Sequence, residues 1–346
     1  MFYKLKTNII NKSILKRNKN HSFNYFEAER FFINNNDDPL INNSYYFSAH
    51  EGDFSIFLRL GIRSNIIETW FVLLSNQDKY QLKEERYPDL DSSPIKVYLD
   101  DESNQWKIVF NGKVIHNNIE EVDLAFHATF HSEHRYLDFS TDMPSIRMAK
   151  AIGQEKWNKS FFDNLKNISG QTHYEQVGRL VGSYTINKNE TKFDLACVRD
   201  HSFGKRDWDY MNNHLWLMAV SPSLDQFNYS LVSYPVISIL EVGNYLKDHY
   251  MRYLISSDFD LSILEKGENL SSIKLKVLLD DHQEIEINAK VIDTTVYHFK
   301  NDKYTLIENI AVYEIENKKY KGILEVGFNS NKDRIFNGKD TKSLKR

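Results

Sequence analysis

Residues 122–130 read VDLAFHATF, and their alternation decides the fold class: Val122, Leu124, Phe126, Ala128 and Phe130 share one side of an extended chain, while Asp123, His127 and Thr129 share the other. Such a strand buries one face and leaves the other wet. Alternating or β-branched runs recur around it, at FSIFLRLGI (54–62), IKVYLDD (95–101), WKIVFNGKVI (106–115), LWLMAV (215–220), FNYSLVSYPV (227–236), IKLKVLL (273–279), EIEINAKVI (284–292), ENIAVYEIE (308–316) and YKGILEVGF (320–328). Short polar turns such as DDESNQ and EIENKK separate many of them. Strands at this spacing imply an all-β protein of antiparallel sheets, closed as barrels or stacked as sandwiches.

One region has a different period. In PSIRMAKAIGQEKWNKSFFDNLKN (144–167), Trp157, Phe161, Phe162 and Leu165 can share a helical face. A helical connector over 141–168 therefore divides a first β-domain, 22–140, from a second, 169–335, with a flexible basic arm at 1–21 and a basic tail at 336–346.

Composition excludes several classes of function. The 44 basic and 48 acidic residues nearly cancel, and an isoelectric point near 6.3 gives no general attraction to nucleic acid or anionic lipid. Nucleic acid is not an expected partner. No segment approaches the ~20 apolar residues of a spanning helix, so any membrane contact is peripheral, and the N-terminus lacks a signal peptide's apolar run. Cys197, the lone cysteine, cannot close an internal disulfide, which fits a cytoplasmic location; it shares a strand face with Leu195 and reads as core. The chain has no P-loop, dinucleotide fingerprint, nucleophile elbow or zinc cysteine pattern, and no cofactor is expected. His127 and His131 on an extended strand stand ~13 Å apart, too far to share an ion, so they and His134 predict no metal site.

The run HYEQVGRLVGSYTI (173–186), followed by RDHSFGKRDW (199–208), resembles the signature of the calycin-related, two-domain lipocalin-like proteins, the AttH-like and carotenoid 1,2-hydratase-like family. His201 and Phe203 stand where that pattern commonly has Arg and Trp. The resemblance implies two consecutive antiparallel lipocalin-like β-barrels joined by a short helical connector. It also implies a cofactor-independent hydratase or cyclase acting on an apolar isoprenoid, terpenoid or polyene-like ligand; a non-catalytic carrier of such a ligand is the alternative.

RDHSFGKRDW supports two roles. As a brace, Arg199 and Arg206 pair with Asp207 and Asp200 or with turn carbonyls, and Gly204 gives the bend its backbone freedom. As a site, Asp200 or Asp207 beside Phe203 and Trp208 keeps a proton and acts as a general acid, with His201 and Glu175 as further catalytic candidates. Protonating an alkene leaves a carbocation that aromatic faces stabilise, and Tyr174, Phe203, Trp208 and Trp216 are the candidate substrate contacts in a chain with 22 Phe, 20 Tyr and 5 Trp.

Overall fold

The computed structural model describes residues 2–19, 25–29, 38, 40–63, 66–83, 85–100, 105–165, 170–260, 262–299 and 303–330. The basic tail, the end of the arm and most of the turn DDESNQ lie outside these residues.

The alternating runs become strands, except that FNYSLVSYPV leaves its strand after Ser233 and Asp101 lies outside the described residues. β1 (Ile41–Glu51), β2 (Phe54–Ile62), β3 (Ile67–Ser75), β4 (Asp78–Leu82), β5 (Arg86–Tyr87), β6 (Ile95–Asp100), β7 (Gln105–His116), β8 (Glu120–His131), β9 (Leu137–Asp138), β10 (Gln171–Ile186) and β11 (Asn189–Lys205) form one antiparallel sheet. β10 pairs with β8 and with β11, and β11 pairs with β1, so the ladder returns to its own start and the sheet curls round a core. On β8, Leu124, Phe126, Ala128 and Phe130 enter that core, as the alternation requires.

A second set of strands closes as an eight-stranded antiparallel barrel: β12 (Asn213–Val220), β13 (Gln226–Ser233), β14 (Leu240–Lys247), β15 (Tyr250–Ser257), β16 (Ser272–Leu279), β17 (Glu284–Phe299), β18 (Tyr304–Ile315) and β19 (Lys318–Asn329). Tight hairpins join many neighbours. Asn187 and Lys188 (φ 51° and 68°) turn β10 into β11, and Glu316 and Asn317 (φ 49° and 61°) turn β18 into β19, the double left-handed geometry that matches strand twist.

The domain boundary differs from the sequence reading. Residues 171–205 complete the first sheet, and the link between the barrels is the short segment 206–212. The helical region is an insertion between β9 and β10, and it is broken into α3 (Ser145–Gly153) and α4 (Lys159–Leu165). A change of period marks a change of element, not the edge of a domain. The N-terminal arm is also more ordered than expected: α1 (Phe2–Lys19) packs on α3, with Lys6 Nζ bonded to the Glu155 carbonyl (2.7 Å) and Ser145 Oγ to Asn11 Oδ1 (2.7 Å). Thr7 lies so close to Gly153 that a Cβ there would stand 2.5 Å from its hydroxyl. Arg147 of α3 binds the Glu241 carbonyl (3.1 Å) and carboxylate, tying the insertion to the second barrel. Two short helices, α2 (Tyr25–Glu29) and α5 (Ser262–Glu265), complete the described elements.

Four apolar clusters result among the described residues: one inside each barrel, one between them, and a smaller one where Ala151, Ile152 and Phe161 of the insertion meet Val236 and Ile237. In the cluster between the barrels, Trp70 stacks on Tyr297 (4.1 Å) and Trp208 on Phe299 (4.8 Å), pairs worth about 0.5–1.5 kcal/mol each beyond their burial.

Candidate active site

β11 carries two chemistries on its two faces. Leu195, Cys197, Arg199, His201 and Phe203 turn into the first barrel; Ala196, Val198 and Asp200 turn toward the second. Asp200 is paired across the ladder with Glu175 on β10, whose outward face also holds His173.

On the outward face, His173 Nε2 lies 2.5 Å from Asp200 Oδ2 and 3.4 Å from Glu175 Oε1. Burial works against the imidazolium, but the Asp200 and Glu175 carboxylates outweigh it and raise His173 to about 10. His173 also stacks on Phe139 (4.2 Å) and meets the edge of Trp216 (6.2 Å). Glu175 is anchored from the other barrel: Asn228 Nδ2 donates to its Oε1 (2.7 Å) and Oε2 (2.6 Å), and Gln226 Nε2 to Oε2 (3.0 Å). Burial pushes the Glu175 carboxyl up, against the pull of His173, so it holds a proton to higher pH than an exposed glutamate. Glu175 lines a cavity of about 200 Å³ between the barrels, walled by Leu137, Val177, Leu246 and Met251 on its apolar side and by Gln176, Gln226, His134 and His249 among its polar groups. No Phe, Tyr or Trp lines this cavity, contrary to the aromatic pocket expected for a carbocation.

His173, Glu175 and Asp200 also offer ligand atoms within 4.8 Å of one another, the one group among the described residues with such convergence. The three histidines weighed from sequence do not converge: His127 meets Ser183 (3.2 Å), and His134 stacks on His249 (5.4 Å).

A second carboxyl group lies deeper in the same seam. Glu308 and Glu325 face each other across β18 and β19; burial pushes both upward, and Glu325 adds to the rise at Glu308, whereas the bond to Glu308 and the Arg206 guanidinium restrain Glu325. Like charges opposite one another in a ladder are unfavourable, and a retained proton removes the conflict. Tyr46 binds Glu308 from the first barrel. His214 Nε2 reaches Glu325 Oε1 (2.5 Å) and its Nδ1 reaches the Tyr304 hydroxyl (2.6 Å). Burial, then Arg206, lowers His214 to about 3.

The remaining residues of RDHSFGKRDW divide between the barrel interior and the link. His201 accepts from the Tyr174 hydroxyl (2.5 Å), bonds Asn43 Oδ1 (2.7 Å) and stacks on Tyr45 (4.3 Å); burial and Arg199 hold it neutral. Phe203 packs beside it (5.3 Å). These three, His201, Tyr174 and Phe203, lie on the opposite side of the sheet from Glu175. The bracing pairs are not those expected: Arg199 forks onto Glu29 of α2 (2.8 and 2.7 Å), and Arg206 binds Ser202 Oγ (3.1 Å) and lies over Trp208 (5.1 Å). Asp207 opens the single helical turn Trp208–Tyr210, its carbonyl accepting from Tyr210 N (3.1 Å). Gly204 does take the backbone freedom foreseen for it, at φ +107°, with Gly170 O so near that a Cβ would stand 2.2 Å away. Trp216 lies in the seam, 5.9 Å from Tyr46.

Of the residues singled out from sequence, Glu175 and Asp200 meet in the polar network of the seam; its other members, His173, Glu308, Glu325 and His214, were not singled out. A signal existed for two of the carboxyls: Glu308 and Glu325 sit within apolar strand runs at positions whose neighbours two residues away are buried.

Residues 34–330 match the family model of a domain of unknown function, DUF7064. The chain belongs to that family. No curated protein matches it by sequence. Among solved structures, a protein assigned as an AttH from Nitrosomonas europaea superposes with a TM-score of 0.56 at 9% identity, over 88% of this chain and 97% of that one. The AttH-like architecture is therefore shared, at the level of fold. CghA bound to Sch210972 (0.49, 9%, 84% of this chain and 89% of that one) and kievitone hydratase from Nectria haematococca (0.46, 11%, 83% and 89%) are looser likenesses. Among the described residues no helix is long and apolar enough to cross a membrane.

Proposed function

We propose that this DUF7064 protein is an acid–base enzyme of hydratase or cyclase type, working in the cavity between its barrels with Glu175 as the proton donor. The observation that carries this reading is the placement of Glu175: a fully buried carboxyl on a cavity wall, held by two amide donors and flanked by the His173–Asp200 pair. Transfer of its proton to one carbon of a substrate alkene leaves a cation on the other carbon and a carboxylate at Glu175. That carboxylate is then stabilised by the imidazolium of His173 and the amides of Asn228 and Gln226. Water adding to the cation releases a proton, which returns to Glu175 and closes the cycle; an internal alkene in place of water closes a ring and leaves a new ring cation, whose adjacent C–H gives its proton back to Glu175 as a new alkene forms.

The mixed lining suits a substrate with an apolar unsaturated segment and a polar end. The isoprenoid or polyene class implied by the sequence resemblance is the class to try first. Small molecules that co-purify with the protein are extracted, identified by mass spectrometry and incubated with it in D2O. Deuterium should enter the unsaturated carbon, and Glu175→Gln should slow this by roughly 10²–10⁴ with little change in melting temperature. Incorporation by Glu175→Gln at the parental rate removes Glu175 from the role; a retained ligand that the parent never labels marks a carrier.

A further inference from the structure

Outside that cavity, the end of the first barrel holds a charged group in unusual surroundings. Arg199 is 1% exposed, and its guanidinium is ringed by Trp106 (5.2 Å), Tyr136 (5.5 Å), Phe130 (5.7 Å) and Tyr174 (5.9 Å). The strands and the loop beside them supply the ring of aromatic faces, and Gln176 adds one oxygen (3.2 Å). The carboxylate that completes the site comes from elsewhere: Glu29, on the five-residue α2. A helix of that length does not hold itself.

Two side chains one helical turn apart fix α2 to the barrel. Glu29 takes the fork of Arg199, and Tyr25 stacks on Tyr136 (4.7 Å), meets the edge of Tyr174 (5.5 Å) and bonds Asp138 through its hydroxyl. Positions i and i+4 share a helix face, so a phenol ring and a carboxylate enter the barrel end side by side. The fit is incomplete. Glu29 bonds only Nη1 and Nη2, and the buried Arg199 Nε has no hydrogen-bond partner. A guanidinium in this position favours a planar carboxylate taken by two N–H groups, and a side-on approach would use Nε as well.

We propose that the end of the first barrel is a binding site for a phenolic carboxylic acid, with Arg199 as its anion receptor, and that Tyr25 and Glu29 of α2 occupy it as an internal competitor. The ligand's carboxylate takes the place of Glu29, its ring the place of Tyr25 between Tyr136 and Tyr174, and its hydroxyl the bond to Asp138. Arg199 and Glu175 face opposite sides of the sheet, and Gln176, which bonds Arg199 and also borders the Glu175 cavity, is the residue the two sites share.

Calorimetric titration with para-coumarate, and with its uncharged methyl ester, tests this on the full-length chain. Removing an internal competitor raises apparent affinity by the inverse of the fraction that was open. The double variant Tyr25→Ala/Glu29→Gln should bind para-coumarate at least about tenfold more tightly than the parent, discriminate against the ester by a similar factor, and gain melting temperature when the acid is added. Adding Arg199→Met should cancel the gain. Equal binding of acid and ester, no tightening in the double variant, or loss of its cooperative melting would each overturn the proposal; the last would show that Glu29 is a brace without which the barrel does not hold.

Discussion

The two barrels solve the same packing problem with opposite use of charge. The second barrel fills its interior mainly with aliphatic groups such as Leu217, Leu275, Val277, Ile287 and Leu324, and turns Glu308, Glu325 and His214 outward into the seam. The first takes Arg199, His201, Tyr174 and Tyr45 inside, where each needs a partner to offset its burial. The second also takes a charge inside, of the other sign: Glu241, bonded by the interior Tyr229 hydroxyl and answered by Arg147 of α3, as Arg199 of the first is answered by Glu29 of α2. The seam depends on both, since Glu175 comes from one barrel and its amide donors from the other.

The hardest blow to this contrast is a cavity in either core. Phe126→Ala in the first barrel should cost about 3–5 kcal/mol and Ile287→Ala in the second about 2–5 kcal/mol, read from urea denaturation. Because the seam is apolar and shared, both should move one common transition; two separable transitions would show that the barrels are energetically independent. Acid acts next. His50, lowered to about 3 by burial and then Lys321, and His214, also at about 3, stay neutral in the fold but charge near 6.5 when unfolded. The stability they contribute is present above pH 6.5 and is lost as pH falls from 6.5 toward 3, by about 1.4 kcal/mol per pH unit for each ring. His214→Asn should flatten that limb.

The carboxyl pair has the opposite sign. Glu308 and Glu325 hold protons in the fold that they lose near 4.5 when unfolded, so stability falls as pH rises above 4.5, and Glu308→Gln should reduce that slope. His173 adds to the alkaline side, its contribution full below 6.5 and lost as pH rises through about 10. In Asp200→Asn the His173 resonances should titrate at least about one unit lower by NMR; an unchanged midpoint would assign its shift to Glu175 instead.

Strand pattern was legible because alternation is local: 122–130 and 54–62 become β8 and β2 without adjustment. The domain boundary was not, because the pairing of β11 with β1, more than a hundred residues earlier, and of β10 with β8 across the helical insertion leaves no trace in their own residues. The candidate site was half legible. Glu175 and Asp200 lie in a motif dense with chemistry, but the cross-strand register that opposes them, and the reach of Asn228 and Gln226 across the seam, are tertiary facts. Arg199 was expected to pair within its own turn; its partner lies 170 residues away.

β10 and β11 each write two messages on one strip of chain, odd positions of β11 spelling the barrel interior and even positions the seam. Inserting or deleting one residue within 193–203 acts as a frame-shift of structure: Arg199 and Asp200 would exchange sides, and both networks would be lost at once. A substitution at either set of positions alters one network, whereas a change of spacing alters both.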